Sequence, residues 1–564
     1  MLGGHAFGST PPAFEVEPGL VAGIDGEWAL YHRDHPSRAA PQPDLFTWDG
    51  GFLNPVHGSV GNVAAIRTDA LSAHLATDPS GTFPLYFTEF DGGVLFCSLL
   101  KPLAKVTRAD RDELAGLEFL RQAYVVGSKT VFRGIRRLLP GQSVRWLQGR
   151  SIEITERSDA WTDRVQVTGD AIEASWERLE RAMARSVPTD GASLMMSGGW
   201  DSRTLLAGGA HKGLHLSCYS HGDTGSRELG LVRRLADITG SPCQLEPIDE
   251  RVLDPGFLSE GFSRVENVVF PHWHRAGRVL AGQGRSVVSA GVFGEILGGH
   301  YGPAMVTDNR MKFLTVAALL TGLEPPAAVA KASALELLRV RSLEHHWYLQ
   351  GDWERALGAP LGLMNGAIEE ELARLGRRGV AGTFDQVEAF ISEHRGAQYI
   401  NTQIRSCRGH LDVSLPFAGG ELFPFASGVP LSSRVHNLVN RRMLLKYSPE
   451  LLAVPLAATL AAARAPLGFQ EASRVLRKLY EEVGGAVSHR TRGRWPAPRL
   501  GWVNFGFLQS STALATLAED LRCDLWDRVT ISRYVGWRSG GDQPEPHPLY
   551  DQFLKLYTLD LLWR

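Results

Sequence analysis

The residue types best suited to chemistry gather in one short segment, Met195-Met196-Ser197-Gly198-Gly199-Trp200-Asp201-Ser202. An apolar run leads into Ser-Gly-Gly-x-Asp-Ser, and a helical pattern follows from about Ser202. Adjacent glycines let a backbone approach an anion closely, while serine hydroxyls and a helix N-terminus supply donors. Ser197, Gly198, Gly199 and Ser202 therefore read as a phosphate cradle. Asp201 would repel phosphates unless a cation accompanied them, and Mg²⁺ is the natural remedy. The plainer alternative is a strand-to-helix turn capped by Asp201. The chain has no Gly-x-x-x-x-Gly-Lys-Ser/Thr loop and no strand-anchored Gly-x-Gly-x-x-Gly, so neither γ-phosphate transfer on such a loop nor dinucleotide binding is supported.

The elements that must position this loop follow from the pattern around it. From about residue 170, helical periods alternate with short apolar runs at 192–196, 214–220 and 286–290, which predicts a parallel sheet with crossover helices. The first and third runs enter glycine-bearing loops, and an open α/β sheet binds its ligand at the carboxyl ends of its strands. Up to about residue 150 the texture is short alternating runs broken by Gly, Pro and Asp, which suits antiparallel strands, with one helix over 112–124 and a last strand at 143–146. Residues 150–168 are polar and read as the connector between two domains, 1–160 and 170–564. Residues 310–400 read as mostly helical. The stretch 497–564 has no dominant period, and its aromatic residues, without a basic stripe, read as core.

Composition narrows the classes. The 564 residues hold 59 Lys+Arg against 61 Asp+Glu, a net charge of −2, which leaves no global cationic excess for a polyanion such as nucleic acid. The five cysteines are scattered with no Cys-x-x-Cys pair, which suits a reducing, cytoplasmic setting, and no apolar stretch is long enough for a membrane span. His272-Trp273-His274 and His345-His346 lack His-x-x-x-His spacing, so no metal is expected there. The first pair precedes a helix and suits a wall of the substrate pocket.

In order and spacing, these motifs resemble the asparagine synthetase family. Ser197-Gly198-Gly199-x-Asp201-Ser202 is similar to its pyrophosphate loop, Ser226-Arg227-Glu228 to its Ser-Glu segment, and Val287 through Gly291 and Glu295 to Gly299 to its second glycine-rich loop. In the first half, Thr77-Asp78-Pro79-Ser80-Gly81 through Pro84-Leu85-Tyr86 and Phe132-Arg133-Gly134 through Leu139-Pro140-Gly141 resemble its glutaminase domain. The resemblance implies an N-terminal Ntn-hydrolase-like layered β domain and a PP-loop ATP pyrophosphatase (adenine nucleotide α-hydrolase-like) domain. It implies ATP and Mg²⁺, with phosphates on Ser197, Gly198, Gly199, Ser202 and Gly291 and the metal on Asp201 and Glu295. A carboxylate would be activated as its acyl-adenylate, pyrophosphate released, and an amine acylated.

The sequence departs from that family at three places. The chain opens Met1-Leu2-Gly3 rather than with the cysteine that a glutaminase uses, and Cys97 lies in an apparent interior strand, so no glutaminase activity is expected. Val292 stands where the family has a glutamate. Pro466, within Arg464-Ala465-Pro466-Leu467-Gly468-Phe469, stands where it has a catalytic lysine. A cation must meet the charge that develops in phosphoryl displacement, and Arg464 is the first candidate, with Arg441, Arg442 and Lys446 as others. Family branches without the cysteine include lasso-peptide cyclases and β-lactam synthetases, which places macrolactam formation on a precursor peptide first, with a protease as a companion. An ammonia- or small-amine-dependent synthetase, and a catalytically silent nucleotide-binding subunit, remain open.

Overall fold

A computed structural model describes residues 2–6, 20–25, 28–33, 64–69, 72–156, 160–163, 165, 169–299, 357–419, 421–501, 513–539 and 547–564, with positions 317, 321, 338, 340, 348 and 349. His345 and His346, and most of 300–356, lie outside the described residues.

The N-terminal half is two antiparallel sheets. One takes strands β1 (Leu2–Ala6), β2 (Leu20–Asp25), β3 (Trp28–Arg33), β6 (Tyr86–Phe90), β7 (Gly93–Cys97) and β8 (Arg136–Arg137) in the order β2-β3-β1-β7-β6-β8. The other takes β4 (Ala64–Asp69), β5 (Ser72–Thr77), β9 (Gln142–Leu147) and β10 (Glu153–Glu156) in the order β10-β9-β5-β4. Strand β7 shows why the layers form. Its alternate residues Val94 and Phe96 join Leu75, Val144 and Trp146 between the sheets, while Leu95 and Cys97 point to a helical layer on the other side. All five of its residues are buried because both faces are covered. The helical layer includes α1 (Leu100–Thr107), α2 (Glu113–Gln122) and the C-terminal helix His547–Trp563. Asp112 caps α2 by accepting from the Ala115 amide. Among the described side chains the aromatic C-terminus is core, as its composition suggests: Trp526, Phe553, Tyr557 and Trp563 are all buried, and Trp563 sits so close to Gly116 that a Cβ there would meet its ring at 2.3 Å, while the side chains of Tyr534, Trp537 and Tyr550 lie outside the described set. One expectation needs correcting. Strand β9 is not the last of its domain, because Glu153–Glu156, within the polar stretch read as connector, pairs antiparallel with it. Its side chains are only partly buried, which is why it lacks an apolar signature.

The second half is built on five parallel strands, β11 (Ala192–Met195), β12 (Ser217–Gly222), β13 (Cys243–Pro247), β14 (Val287–Ala290) and β15 (Asp412–Ser414), in the order β13-β12-β11-β14-β15. The chain runs outward from β11 through β12 to β13, then returns to lay β14 on the other side of β11. The topological switch, where such sheets open a crevice, therefore falls between β11 and β14. Crossover helices α3 (Gly169–Ser186), α4 (Trp200–His211), α5 (Arg227–Thr239), α6 (Pro255–Val265) and α7 (Pro271–Gly282) surround the sheet, and a one-turn helix α8 (Glu295–Gly298) follows β14. Three local expectations shift. Helix α4 starts at Trp200 rather than Ser202. Strand β12 starts at Ser217 because Gly213, at φ +66°, and Leu214 still close the end of α4. Pro271 to His274 form the first turn of α7 rather than preceding it, with Pro271 at its first position.

Candidate active site

The loop after β11 and the loop after β14 meet. Their closeness is set by glycines: a Cβ on Gly291 would lie 2.9 Å from Asp201 Cβ and from the Ser202 amide, and one on Gly294 would lie 2.4 Å from Asp201 Cγ. No side chain fits at either position, so the second loop lies directly on the first. Gly198 is held similarly on its other side, where an added Cβ would meet Ala457 Cβ at 2.9 Å while the Ala457 amide donates to the Gly198 carbonyl at 3.0 Å.

Within the first loop, the Ser197 amide donates to Ser202 Oγ at 3.1 Å, the two hydroxyls lie 3.1 Å apart, and the Gly199 amide donates to Ser197 Oγ at 3.3 Å. The Gly198 amide donates to Glu228 Oε1 at 3.4 Å, so a carboxylate occupies a donor of the proposed cradle. Helix α4 opens at Gly199 with no side-chain cap, and Asp201 stands in its first turn rather than capping it. This removes the plainer reading of Asp201 as a cap.

Asp201 and Glu295 form the electrostatic centre. Burial of the Asp201 carboxyl and the negative charge of Glu295 push its pKa well above the usual carboxylate range, and the Asn440 amide, at 3.5 Å, opposes this only weakly. Glu295 Oε2 is buried with no hydrogen-bond partner. Two neighbouring carboxylates, one with an orphaned oxygen, fit a divalent cation, which would supply the missing counter-charge. Val292 is buried among apolar residues and adds no ligand.

Four further residues shape the site: Arg227 and Glu228, from the Ser226-Arg227-Glu228 segment noted in the sequence, and Arg203 and Asn440, which had not stood out there. Arg203 is fully buried and donates to the carbonyls of Leu451 (3.0 Å), Val454 (2.8 Å) and Pro455 (2.8 Å); burial lowers its pKa to about 9. Arg227 donates to the carbonyls of Ala457 (3.3 Å) and Thr459 (2.7 Å). Glu228 and Asn440 reach the loop as described above. A charged residue inside a helix next to a glycine loop is the one sequence signal for Arg203, the resemblance of their segment marked Arg227 and Glu228, and Asn440 becomes visible only through its contact with Asp201, 239 positions away.

The cation candidates separate. Arg441 is engaged with the carbonyls of Ala465 and Arg464, each at 2.8 Å, and Lys446 pairs with Glu173 at 3.1 Å. Arg464 and Arg442 are exposed, and the Arg464 side chain is bound to no described residue. Arg464 lies on the segment that Arg203, Arg227 and Arg441 tie down beside the Ser197 loop, and Pro466 forms the boundary of the helix that follows.

The histidines lie elsewhere. His274 and His410 share a hydrogen bond of 3.1 Å, with Glu260 3.9 Å from the first ring, so the fold assembles a group that the local sequence spacing did not suggest. Glu260 is already held by Arg278 at 3.0 Å and Arg264 at 3.4 Å, which offsets its charge and leaves a poor cation site. His272 is buried at the start of α7. Cys97 is buried in β7, where burial pushes its thiol up to about 12, out of reach of nucleophilic work at neutral pH.

Among the described residues, no helix is long and apolar enough to cross a membrane. The sequence matches no curated protein. Residues 63–156, which run from the edge strand of the second sheet to β10, match the family model for the glutamine amidotransferase domain. The chain thus carries a glutamine amidotransferase-type domain, which fits the asparagine synthetase family at the coarse level, joined to an α/β domain built on a five-stranded parallel sheet.

Proposed function

We propose that this protein is an ATP-dependent, AMP-forming ligase that activates a carboxylate as an acyl-adenylate and joins it to an amine. The observation that carries the reading is the meeting of Asp201 and Glu295 at the switch point of the parallel sheet, with a buried unsatisfied oxygen on Glu295 and two loops held together by Gly291 and Gly294. Asp201 and Glu295 would hold Mg²⁺, which supplies charge neutralisation for the phosphates when bound. The amides and hydroxyls of Ser197, Gly198, Gly199 and Ser202 would bind and orient the pyrophosphate portion of ATP, with the Glu228 carboxylate giving up the Gly198 amide. Gly291 would keep the second loop close enough for Glu295 to contribute. Arg464, exposed and on the segment whose Ala457 packs against Gly198, would stabilise charge on the departing pyrophosphate in place of a lysine.

A buried, strongly basic Cys97 supports an acceptor amine that is not freed from glutamine by that thiol. The amine is then most simply one carried by the substrate, as in macrolactam closure of a lasso-type peptide.

Pyrophosphate release tests the reading. With ATP, Mg²⁺ and a panel of peptide and small carboxylates, release is expected with at least one substrate and to fall by two orders of magnitude or more in Asp201→Asn, with the fold retained by circular dichroism. Release unchanged in Asp201→Asn refutes the metal assignment, and the absence of release with every substrate tested favours a catalytically silent nucleotide binder instead.

A further inference from the structure

The Leu467–Arg490 helix is built inside out. The residues it buries are Gln470 and Ser473, which serve the backbone of the preceding segment: Gln470 Nε2 donates to the Ala463 carbonyl at 2.6 Å, and Ser473 Oγ accepts from the amides of Leu460 at 2.6 Å and Ala461 at 2.9 Å. Its large apolar side chains face outward. Phe469, Val475, Leu476, Leu479, Tyr480, Val483 and Val487 are between 41% and 63% exposed. At 100° per residue they share an arc of about 140°, with a seven-residue spacing through Phe469, Leu476 and Val483. Scattered exposed hydrophobes need no explanation, but a continuous stripe along a helix of 24 residues does.

We propose that this helix is the contact of a two-fold homodimer, in which it pairs antiparallel with its copy about an axis through Tyr480. Two observations select a second copy. From their fractional exposures these side chains present roughly 700 Å² per chain, so mutual burial removes roughly 1,400 Å², the size of a specific protein interface. The charges at one edge of the stripe also complement themselves only in the antiparallel sense. Lys478 and Glu482 are exposed, neither forms an ion pair among the described residues, and each lies two positions from Tyr480. An antiparallel pair therefore sets Lys478 of one copy against Glu482 of the other, twice. A parallel pair turns this edge toward the opposite edge of the partner's stripe and makes neither contact. Glu471 and His489, each nine positions from Tyr480, oppose one another in the same register. The two-fold arrangement is isologous and closes, so it yields dimers and not filaments.

Sedimentation velocity on the full-length chain at micromolar concentrations tests this. The wild type is expected at twice the chain mass, and Leu476→Glu/Leu479→Glu as a monomer with unchanged circular dichroism. Lys478→Glu places carboxylates opposite one another at both sites and is expected to weaken the dimer by roughly three- to tenfold; adding Glu482→Lys should restore it. A wild type that stays monomeric at tens of micromolar overturns the proposal, whether or not it then binds anionic phosphatidylglycerol vesicles or a different protein. A dimer that survives in Leu476→Glu/Leu479→Glu also overturns it, and failure of the double charge swap to restore pairing overturns the antiparallel register.

Discussion

Glu388→Gln is the sharpest test of how the fold holds its site. Glu388 and Arg434 are both fully buried, and the guanidinium meets the carboxylate in two bonds of 2.8 and 2.5 Å. Arg434 also donates to the carbonyls of Val429 at 2.7 Å and Ile296 at 2.6 Å, and Glu388 accepts from the Trp161 indole at 3.2 Å. Ile296 directly follows Glu295, so this network anchors the helix turn that presents the second carboxylate. Glutamine keeps the shape but removes the charge, leaving a guanidinium buried without a counter-ion, which costs on the order of 3–5 kcal/mol. Arg434→Met strands the carboxylate and two carbonyls, at roughly 1–3 kcal/mol for each unsatisfied group. The double variant Glu388→Gln/Arg434→Met removes both charges, so its cost should fall short of the sum of the singles by at least about 2 kcal/mol. Calorimetric melting of the four proteins measures this, with a midpoint loss of several degrees in Glu388→Gln. A loss below about 1 kcal/mol in Glu388→Gln, or strict additivity in the double, refutes the argument that the pair acts as one buried unit.

Two further outcomes follow from the same coordinates. Gly294→Ala puts a methyl where only 2.4 Å separates it from Asp201 Cγ, about 1 Å less than a normal contact; a displacement of that size should cut pyrophosphate release by about a hundredfold while costing only about 1–3 kcal/mol of stability. Activity within a few-fold of wild type would show that Asp201 needs no fixed placement. Glu266 accepts the Leu100 amide and, at 2.8 Å, the Lys101 amide at the start of α1, yet burial outweighs these donors and raises its pKa to about 7. A carboxyl raised in the folded state binds its proton more tightly there than in the unfolded chain. Its contribution to stability is therefore full below the unfolded value of about 4.3 and lost as pH rises through about 7. Between pH 5 and pH 8 the wild type should lose roughly 1–3 kcal/mol more than Glu266→Gln, the lower figure allowing for partial exposure. Parallel pH profiles of the two melting curves would contradict this.

How much was legible in the sequence differs from residue to residue. The Ser197 to Ser202 loop stood out because glycine, serine and aspartate between an apolar run and a helix form a local pattern, and local patterns survive in one dimension. Glu295 was found through the resemblance of its segment to the second glycine-rich loop of the asparagine synthetase family. Strand β10 was missed because its half-exposed residues carry no alternation, and the start of β12 was misplaced because Leu214 is apolar for the sake of a helix end. The outward face of the Leu467–Arg490 helix runs against the usual inference that an apolar stripe marks the core.

By itself the sequence determined the two textures of the chain, the apolar runs that become β11 and β14, and the two glycine-rich loops that end them, since backbone freedom and hydrophobic period are properties of neighbouring residues. The tertiary structure decided that those loops touch. Their strands are almost a hundred residues apart, and it is the reversal of strand order between β11 and β14 that brings Asp201 against Glu295. The same long-range packing made the side chains of Arg203, Asn440 and Arg434 part of the site's support, because desolvation, hydrogen bonding and counter-charge depend on what surrounds a group in space, which chain order does not specify.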